Sequence, residues 1–157
     1  MKTFILILTC LIFLTNFGNS KTILGKARII DGDTIHIKSN KIRLHGIDAP
    51  ETKQTCEIDN EDWDCGKQST KELKNLINNQ NVECITNDID RYNRYVAICY
   101  VNGININKWM VKNGWAIAYR YYSKDYIVEE KYASDNKLGI WKSDFIEPYE
   151  YRKKNKN

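Results

Sequence analysis

Two short segments of the chain carry residue types that suit hydrolytic chemistry. The first is the tetrapeptide DGDT at residues 31–34, and the second runs from Arg43 through Asp48 to Glu51. Carboxylate oxygens are ligands that Ca²⁺ and Mg²⁺ prefer, and a guanidinium can hold a phosphate while water attacks it. Each segment alone is weak evidence, because an Asp-Gly pair is more often only a hairpin turn. Together they indicate metal-assisted hydrolysis of a phosphodiester.

The strand pattern places these residues at or after the ends of strands. Residues 26–30 and 34–38 alternate or run apolar around the Asp-Gly turn, as in a β-hairpin. Residues 42–47 predict a third strand, which ends before Pro50 because proline has no N–H to donate to a ladder. Two further strands flank a turn at residues 90–93. We therefore expect five strands.

Three helices are predicted from the spacing of apolar residues. They cover residues 66–80, residues 105–113 and a segment near 125–136. The apolar sequence LGIW at 138–141 is expected to fold back on the domain. Strands, an inserted helix, two more strands and then helices predict an α+β fold with a mainly β core, in which helices pack on a small closed β-barrel.

The first twenty residues have the pattern of a secretory signal peptide. Lys2 precedes an apolar run at residues 4–14, and small residues at 18–20 offer a cleavage point. The run is too short for a transmembrane anchor, and a buried N-terminal helix is the less favoured alternative. We expect an exported protein, secreted or periplasmic, with residues 21–157 as one domain and no membrane association after cleavage.

Charge is unevenly distributed along a chain whose formal net charge of +4 over 157 residues is only mildly basic. Such a small excess says little about nucleic acid by itself. Acidic residues crowd into 57–64, and residues 152–156 form part of a basic tail that begins at about residue 150. Solvated surface is the default interpretation of both runs.

Four cysteines lie beyond the predicted signal peptide, at Cys56, Cys65, Cys84 and Cys99. An even number in an exported chain favours disulfides, and the spacings match no usual zinc ligand pairing. Cys84 and Cys99 lie symmetrically about the turn at 90–93, so a hairpin would place them opposite each other, although two buried free thiols remain the alternative. A Cys56–Cys65 bridge would hold the acidic segment between them.

Taken together, the motifs resemble the thermonuclease, or staphylococcal-nuclease-like, family. The matching stretches follow the family's order through essentially the whole expected mature domain: residues 30–34, 42–44, 48–52, 90–94, 111–116 and 138–141. The resemblance implies a five-stranded OB-type β-barrel with about three helices. It also implies a monomer that cleaves DNA and RNA without strong sequence specificity, at the 5′ side of the phosphodiester, to leave 3′-phosphates.

The resemblance implies a metal site and a catalytic carboxylate. Asp33 and Asp48 correspond to the side-chain ligands of one Ca²⁺ ion, and Ala49 to the residue that contributes its main-chain carbonyl. Glu51 corresponds to the carboxylate that activates or orients the attacking water. Ca²⁺ binds such all-oxygen sites readily, so the residue types agree with these roles.

The resemblance also implies a set of substrate-binding residues. Arg43 and Arg94 correspond to two arginines that clamp the phosphate, which suits their planar, permanently charged guanidinium groups. The residues that correspond to the lining of the nucleotide pocket are Arg91, Tyr92, Tyr119 and Tyr121. Tyrosine rings stack on any base, which fits a substrate that is not read by sequence.

Two other functions stay open at this point. One is a catalytically weak nucleic-acid-binding or interaction module of the same fold, against which the retention of all the carboxylates and arginines argues. The other is an oligosaccharide-binding protein, which would not explain two arginines beside the acids. Two departures from the family pattern also matter: Asn93 replaces a familiar glycine, and the stretch from Glu51 to Gly66 is longer and more acidic.

Overall fold

The computed structural model describes residues 20–155, and these residues form a β-barrel with helices packed against it. The strands are β1 (Lys21–Ile29), β2 (Thr34–Ile37), β3 (Asn40–Leu44), β4 (Ile47–Asp48), β5 (Cys56–Ile58), β6 (Glu61–Trp63), β7 (Asn81–Ile89), β8 (Tyr95–Val101), β9 (Ile104–Asn105) and β10 (Ile117–Ala118). The helices are α1 (Cys65–Ile77), α2 (Ile106–Lys112), α3 (Ile127–Asp135) and α4 (Pro148–Lys154), with a 3₁₀ turn at Gly139–Lys142. The predicted signal peptide, residues 1–20, lies outside the described residues apart from Ser20.

Five strands close the barrel. Their order is β3-β2-β1-β7-β8 with antiparallel neighbours, and a parallel pairing of β3 with β8 joins the two ends. Its interior is filled by aliphatic side chains that are at most 1% exposed, among them Ile35, Ile37, Ile42, Leu44 and Val82. Burial of so much apolar surface from every strand is the main force that holds such a barrel together. The predicted α+β fold with a five-stranded OB-type barrel is confirmed.

A fourth helix, α4, occupies most of the segment that was predicted to be a basic tail. Pro148 stands at its start, where a missing N–H does no harm, and the basic residues of its last turn complement the helix dipole. The segment is held to the domain by Gln54, whose Nε2 donates to the carbonyl of Ile146 at 2.7 Å. The run of positive charge is therefore ordered helix as far as Lys154.

The acidic segment forms a β-hairpin, β5–β6, rather than a loop. Its first strand exchanges two main-chain hydrogen bonds of 2.8 Å between Glu57 and Asp144. The Cys56–Cys65 disulfide joins the hairpin to the start of α1, and both cysteines pack on the fully buried Ile140 of the 3₁₀ turn. The apolar segment at 138–141 thus folds back on the domain, as predicted.

The second disulfide lies inside the barrel wall. Cys84 on β7 is paired directly with Cys99 on β8 in the antiparallel register, and both side chains are fully buried. Both bridges are therefore the ones expected from the sequence. Among the helices of residues 20–155, none combines the length and hydrophobicity needed to span a bilayer.

Candidate active site

The turn between β1 and β2 places the first carboxylates of the site. The main-chain N–H of Asp33 donates to Asp31 Oδ1 at 3.0 Å, and the N–H of Ala49 donates to Asp33 Oδ2 at 2.8 Å. A Cβ atom at Gly32 would overlap Ser69 Oγ on α1, so only glycine lets the turn approach the helix this closely. The turn, the end of β4 and α1 are thus locked together.

Four carboxyl groups gather here, and we call them the acid cluster: Asp31, Asp33, Asp48 and Glu51. The guanidinium of Arg43, on β3, lies between two of them, with Nη1 2.6 Å from Asp33 Oδ1 and Nη2 2.9 Å from Asp48 Oδ1. Its side chain is only 12% exposed. Arg43 therefore balances part of the buried negative charge from within the site.

Two carboxyl groups of the acid cluster have raised pKa values, mainly because they are buried. Burial, and then the neighbouring charge of Asp33, raise the pKa of Asp31 to about 7. The same two causes, in the same order, raise the pKa of Asp48 to about 6. A cation placed among these groups would favour their ionised forms, because an opposite charge stabilises a carboxylate.

A second guanidinium reaches the acid cluster from α4, and sequence analysis missed it. Arg152 binds Asp48 end-on, with Nη1 2.9 Å from Oδ1 and Nη2 3.0 Å from Oδ2, and its Nη1 also lies 2.9 Å from Glu51 Oε1. Asp48 is fully buried, whereas the side chain of Glu51 is 35% exposed. Pro148 was the available signal that a helix starts here, but no local sequence pattern reveals that Arg152 would contact a residue 104 positions away.

Arg94 is placed differently from Arg43. Its Nε and Nη2 lie 2.8 and 2.7 Å from Oδ2 of Asp90, within the same β7–β8 turn. Tyr92 is also in this turn, and the guanidinium groups of Arg91 and Arg94 lie 5.0 and 5.4 Å from the centre of its ring. Among the described residues, no ion pair joins Arg94 to the acid cluster. The turn itself is supported by Asn93, whose φ of 58° is the left-handed conformation that asparagine tolerates.

The other tyrosines that the sequence singled out, Tyr119 and Tyr121, lie in a separate aromatic group. Tyr119, Tyr121, Tyr122 and Tyr149 form a group that we call the tyrosine patch. The ring centre of Tyr119 is 6.4 Å from that of Tyr121, 5.1 Å from that of Tyr122 and 6.5 Å from that of Tyr149 on α4. Burial, followed by the charge of Asp48, raises the pKa of Tyr119, so the patch adjoins the acid cluster. Tyr121 is 82% exposed and is free to stack on a ligand.

The donor set fits a hard divalent cation. Asp33, Asp48 and the carbonyl of Ala49 offer only oxygen ligands, as Ca²⁺ and Mg²⁺ require. With the side chains as they stand in residues 20–155, no group of three or more His, Cys, Asp or Glu residues is arranged to hold a metal ion. The carboxylate oxygens are instead bonded to Arg43 and Arg152. The charge and the oxygen ligands suit the ion. For the ion to bind, these two arginines would have to release carboxylate oxygens of Asp33 and Asp48.

Comparison with known proteins gives the same fold family. The sequence model described as "Staphylococcal nuclease homologue" matches residues 41–143. The "Succinoglycan biosynthesis protein ExoI" of Rhizobium meliloti (strain 1021) is 32% identical over 142 residues, which cover 87% of this chain and 74% of that protein. An "Uncharacterized endonuclease" of Haemophilus influenzae is 37% identical over 137 residues, or 82% of this chain and 72% of the relative.

A third relative carries the name of a nuclease. The "Micrococcal nuclease" of Shigella flexneri is 35% identical over 148 residues, which cover 83% of this chain and 80% of the relative. Nucleases of this family generally use a divalent metal ion, in keeping with the oxygen donors of the acid cluster. The match of residues 41–143 includes Arg43, Asp48, Glu51 and Arg94. The chain therefore belongs to the staphylococcal nuclease homologue family and is a nuclease that hydrolyses phosphodiester bonds.

Proposed function

We propose that the protein is an exported, Ca²⁺-dependent nuclease that hydrolyses both DNA and RNA, without strong sequence specificity, to 3′-phosphate products. The observation that carries this proposal is the acid cluster, in which Arg43 spans two carboxylates beside the tyrosine patch. In this proposal the carboxylates bind the metal, the guanidinium binds the phosphate, and the aromatic rings stack on the flanking bases.

Metal binding falls to three residues in this proposal. Asp33 and Asp48 would contribute carboxylate oxygens, and Ala49 its main-chain carbonyl. A bound Ca²⁺ supplies positive charge at the phosphate oxygens and so lowers the barrier to attack. The crowding of Asp33 and Asp48 around the single guanidinium of Arg43 supports this assignment, because a cation bound there would be close to two carboxylates at once.

Water attack falls to Glu51. Its carboxylate accepts a proton from a water molecule whose oxygen forms the new bond to phosphorus. The bond between phosphorus and the 5′ oxygen then breaks, so that the phosphate stays on the 3′ oxygen and the 5′ oxygen takes a proton from solvent. The 35% exposure of the Glu51 side chain gives water access to it.

Charge on the phosphate is stabilised by the arginines. As water adds, negative charge builds up on the non-bridging oxygens, and donors that contact them bind the transition state more tightly than the ground state. Arg43 and Arg94 fill this role in the proposal. Arg94 lies in the β7–β8 turn, and 26% of its side chain is exposed. It can therefore reach a substrate phosphate once it releases Asp90.

Base recognition falls to aromatic rings and a neighbouring arginine. Tyr119 and Tyr121 lie in the tyrosine patch, and Tyr92 with Arg91 lies in the β7–β8 turn. Stacking on these rings tolerates any base, which supports the absence of strong sequence preference. Export is supported by the two disulfides, since such bonds persist mainly in oxidising compartments.

Digestion of plasmid DNA and of RNA tests this function directly. Both substrates are incubated with the protein in Ca²⁺, in Mg²⁺, and in excess chelator with and without added Ca²⁺. We expect cleavage of both substrates only where Ca²⁺ is free, and fragments whose 3′ ends carry phosphate. Fragments that carry 5′-phosphates, or cleavage of one substrate alone, would contradict the corresponding part of the proposal.

A further inference from the structure

Helix α4 contributes two side chains to the edge of the site, although it lies beyond the matched residues 41–143. Arg152 contacts Asp48 and Glu51, while Tyr149, three residues earlier, brings its ring next to Tyr119. Residues three apart on a helix lie on the same face. One face of α4 therefore adjoins both the acid cluster and the tyrosine patch.

Anchoring of α4 does not depend on Arg152 alone. The ring of Pro148 is buried, Tyr151 Oη donates to the carbonyl of Lys53 at 3.3 Å, and Gln54 holds the residue that precedes the helix by two positions. An arginine directed at a buried carboxylate is a costly way to fix a helix, because apolar packing of similar volume often does at least as well. The position of the guanidinium thus calls for another explanation.

The guanidinium of Arg152 keeps a donor edge free. It uses Nη1 and one hydrogen of Nη2 for Asp48 and Glu51, and among residues 20–155 its Nε makes no hydrogen bond. Nε and the second Nη2 hydrogen form the side-on fork, which is the geometry that binds two oxygens of a phosphate. The side chain of Arg152 is 31% exposed, compared with 12% for Arg43, so Arg152 is the more accessible of the two arginines.

We propose that Arg152 is a further phosphate-binding residue of the nuclease, which holds the substrate phosphate beside Glu51 while Tyr149 extends the tyrosine patch along the nucleotide. The inference rests on the proposed function. The inference gives α4 a direct part in substrate binding, so that a helix that follows the barrel in the chain completes the site.

The test compares Arg152→Met and Arg152→Lys with Lys154→Met, which removes a positive charge from an exposed position on the same helix. Turnover and KM are measured on a single-stranded oligonucleotide in saturating Ca²⁺. Binding of a nucleoside 3′,5′-bisphosphate, binding of Ca²⁺ alone and the melting temperature are measured on the same preparations. These measurements separate loss of a phosphate ligand from loss of folding or of metal.

We expect Arg152→Met to lower turnover on the order of 100-fold, as the loss of one preorganised donor commonly does, and to weaken bisphosphate binding. Arg152→Lys should recover only part of this loss, because an ammonium cannot reproduce a two-pronged contact. Lys154→Met should behave like the wild type. Ca²⁺ affinity should not fall in any variant, because none of the replaced side chains is a metal ligand.

Three results would overturn the inference. Folded Arg152→Met protein with turnover within about a factor of three of wild type would leave only a structural role for this side chain. Higher turnover of Arg152→Met in saturating Ca²⁺ would show that Arg152 only competes with the metal and does not assist the reaction. Unchanged bisphosphate binding in both Arg152 variants would exclude contact with phosphate. If instead the wild type and Lys154→Met both fail to cleave nucleic acid, the proposed function fails, and the bisphosphate comparison still decides the role of Arg152.

Discussion

At the scale of single residues, Glu51 stands at the centre of the proposed chemistry. It is the one member of the acid cluster that is both substantially exposed and bonded to Arg152. A carboxylate in this position can meet water, whereas the fully buried Asp48 cannot do so without rearrangement. This difference in exposure supports the proposed roles of Asp48 in metal binding and of Glu51 in water activation.

Glu51→Gln should lower turnover by about 10²–10⁴-fold, the usual contribution of general-base assistance, with little change in nucleotide affinity. Glutamine keeps the size and an acceptor for Arg152 but cannot take the proton. Glu57→Gln, on the exposed β5–β6 hairpin, makes the same chemical change away from the acid cluster. Steady-state kinetics with bisphosphate binding and melting curves check the prediction, and a folded Glu51→Gln protein that cuts at wild-type speed would remove Glu51 from the mechanism.

Replacement of either phosphate-clamp arginine by lysine should cripple turnover while the fold persists. In Arg43→Lys a single ammonium must replace a guanidinium that spans Asp33 and Asp48, and in Arg94→Lys the two-pronged contact to phosphate is lost. Arg28→Lys, at an exposed position of β1, is the matched control. Rates and circular dichroism are compared for the three variants, and near-normal turnover in either test variant would show that its assigned role is wrong.

At the scale of elements, local sequence signals predicted the barrel well. The alternation around residues 31–34, the turn at 90–93 and the spacing of apolar residues in α1 are all short-range patterns. They identify strands and helices because each element buries one face at a fixed period. The pairing of Cys84 with Cys99 followed from the same local symmetry of a hairpin.

What escaped prediction depends on contacts distant in sequence. Residues 152–154 are basic and were assigned to a solvated tail, which is the usual fate of such runs. Only the folded chain brings Arg152 to Asp48, across a separation of 104 residues. Likewise, the two hydrogen bonds between Glu57 and Asp144 that order the acidic hairpin have no local signature. The sequence thus pointed to Asp33, Asp48 and Glu51, but it did not reveal that Arg152 joins them.

The β5–β6 hairpin should depend on its disulfide. Conversion of both Cys56 and Cys65 to serine should destabilise the protein by about 2–4 kcal/mol, because the bridge restricts the unfolded chain and closes the small cluster around Ile140. Denaturant unfolding measures the loss. Peptide mapping of the non-reduced, exported protein provides the control. It should show Cys56 paired with Cys65 and Cys84 paired with Cys99. Two or more thiols labelled under denaturing, non-reducing conditions would refute the pairing.

At the scale of the whole molecule, the site joins elements from both ends of the described chain. The β1–β2 turn supplies Asp33, β4 supplies Asp48, and α4 closes the acid cluster with Arg152. A ligand that binds these groups together therefore binds only the folded state. Such a ligand stabilises the fold by mass action, which makes metal binding visible in unfolding experiments independently of catalysis.

Ca²⁺ should therefore raise the melting temperature of the wild type and be required for cleavage. At an ion concentration of about 100 times the dissociation constant, the expected stabilisation is about 2.7 kcal/mol. Asp33→Ala and Asp48→Ala should each reduce the Ca²⁺-induced shift, because too few oxygen ligands remain to replace the water bound by the ion. Asp62→Ala removes the same charge from the exposed hairpin and should keep the full shift. Since the shift is read from unfolding curves, it separates loss of the metal from loss of the catalytic step. Complete digestion of DNA by the wild type in excess chelator would exclude a Ca²⁺ requirement for cleavage, and an Asp48→Ala protein with an undiminished shift would exclude a Ca²⁺ site that includes Asp48.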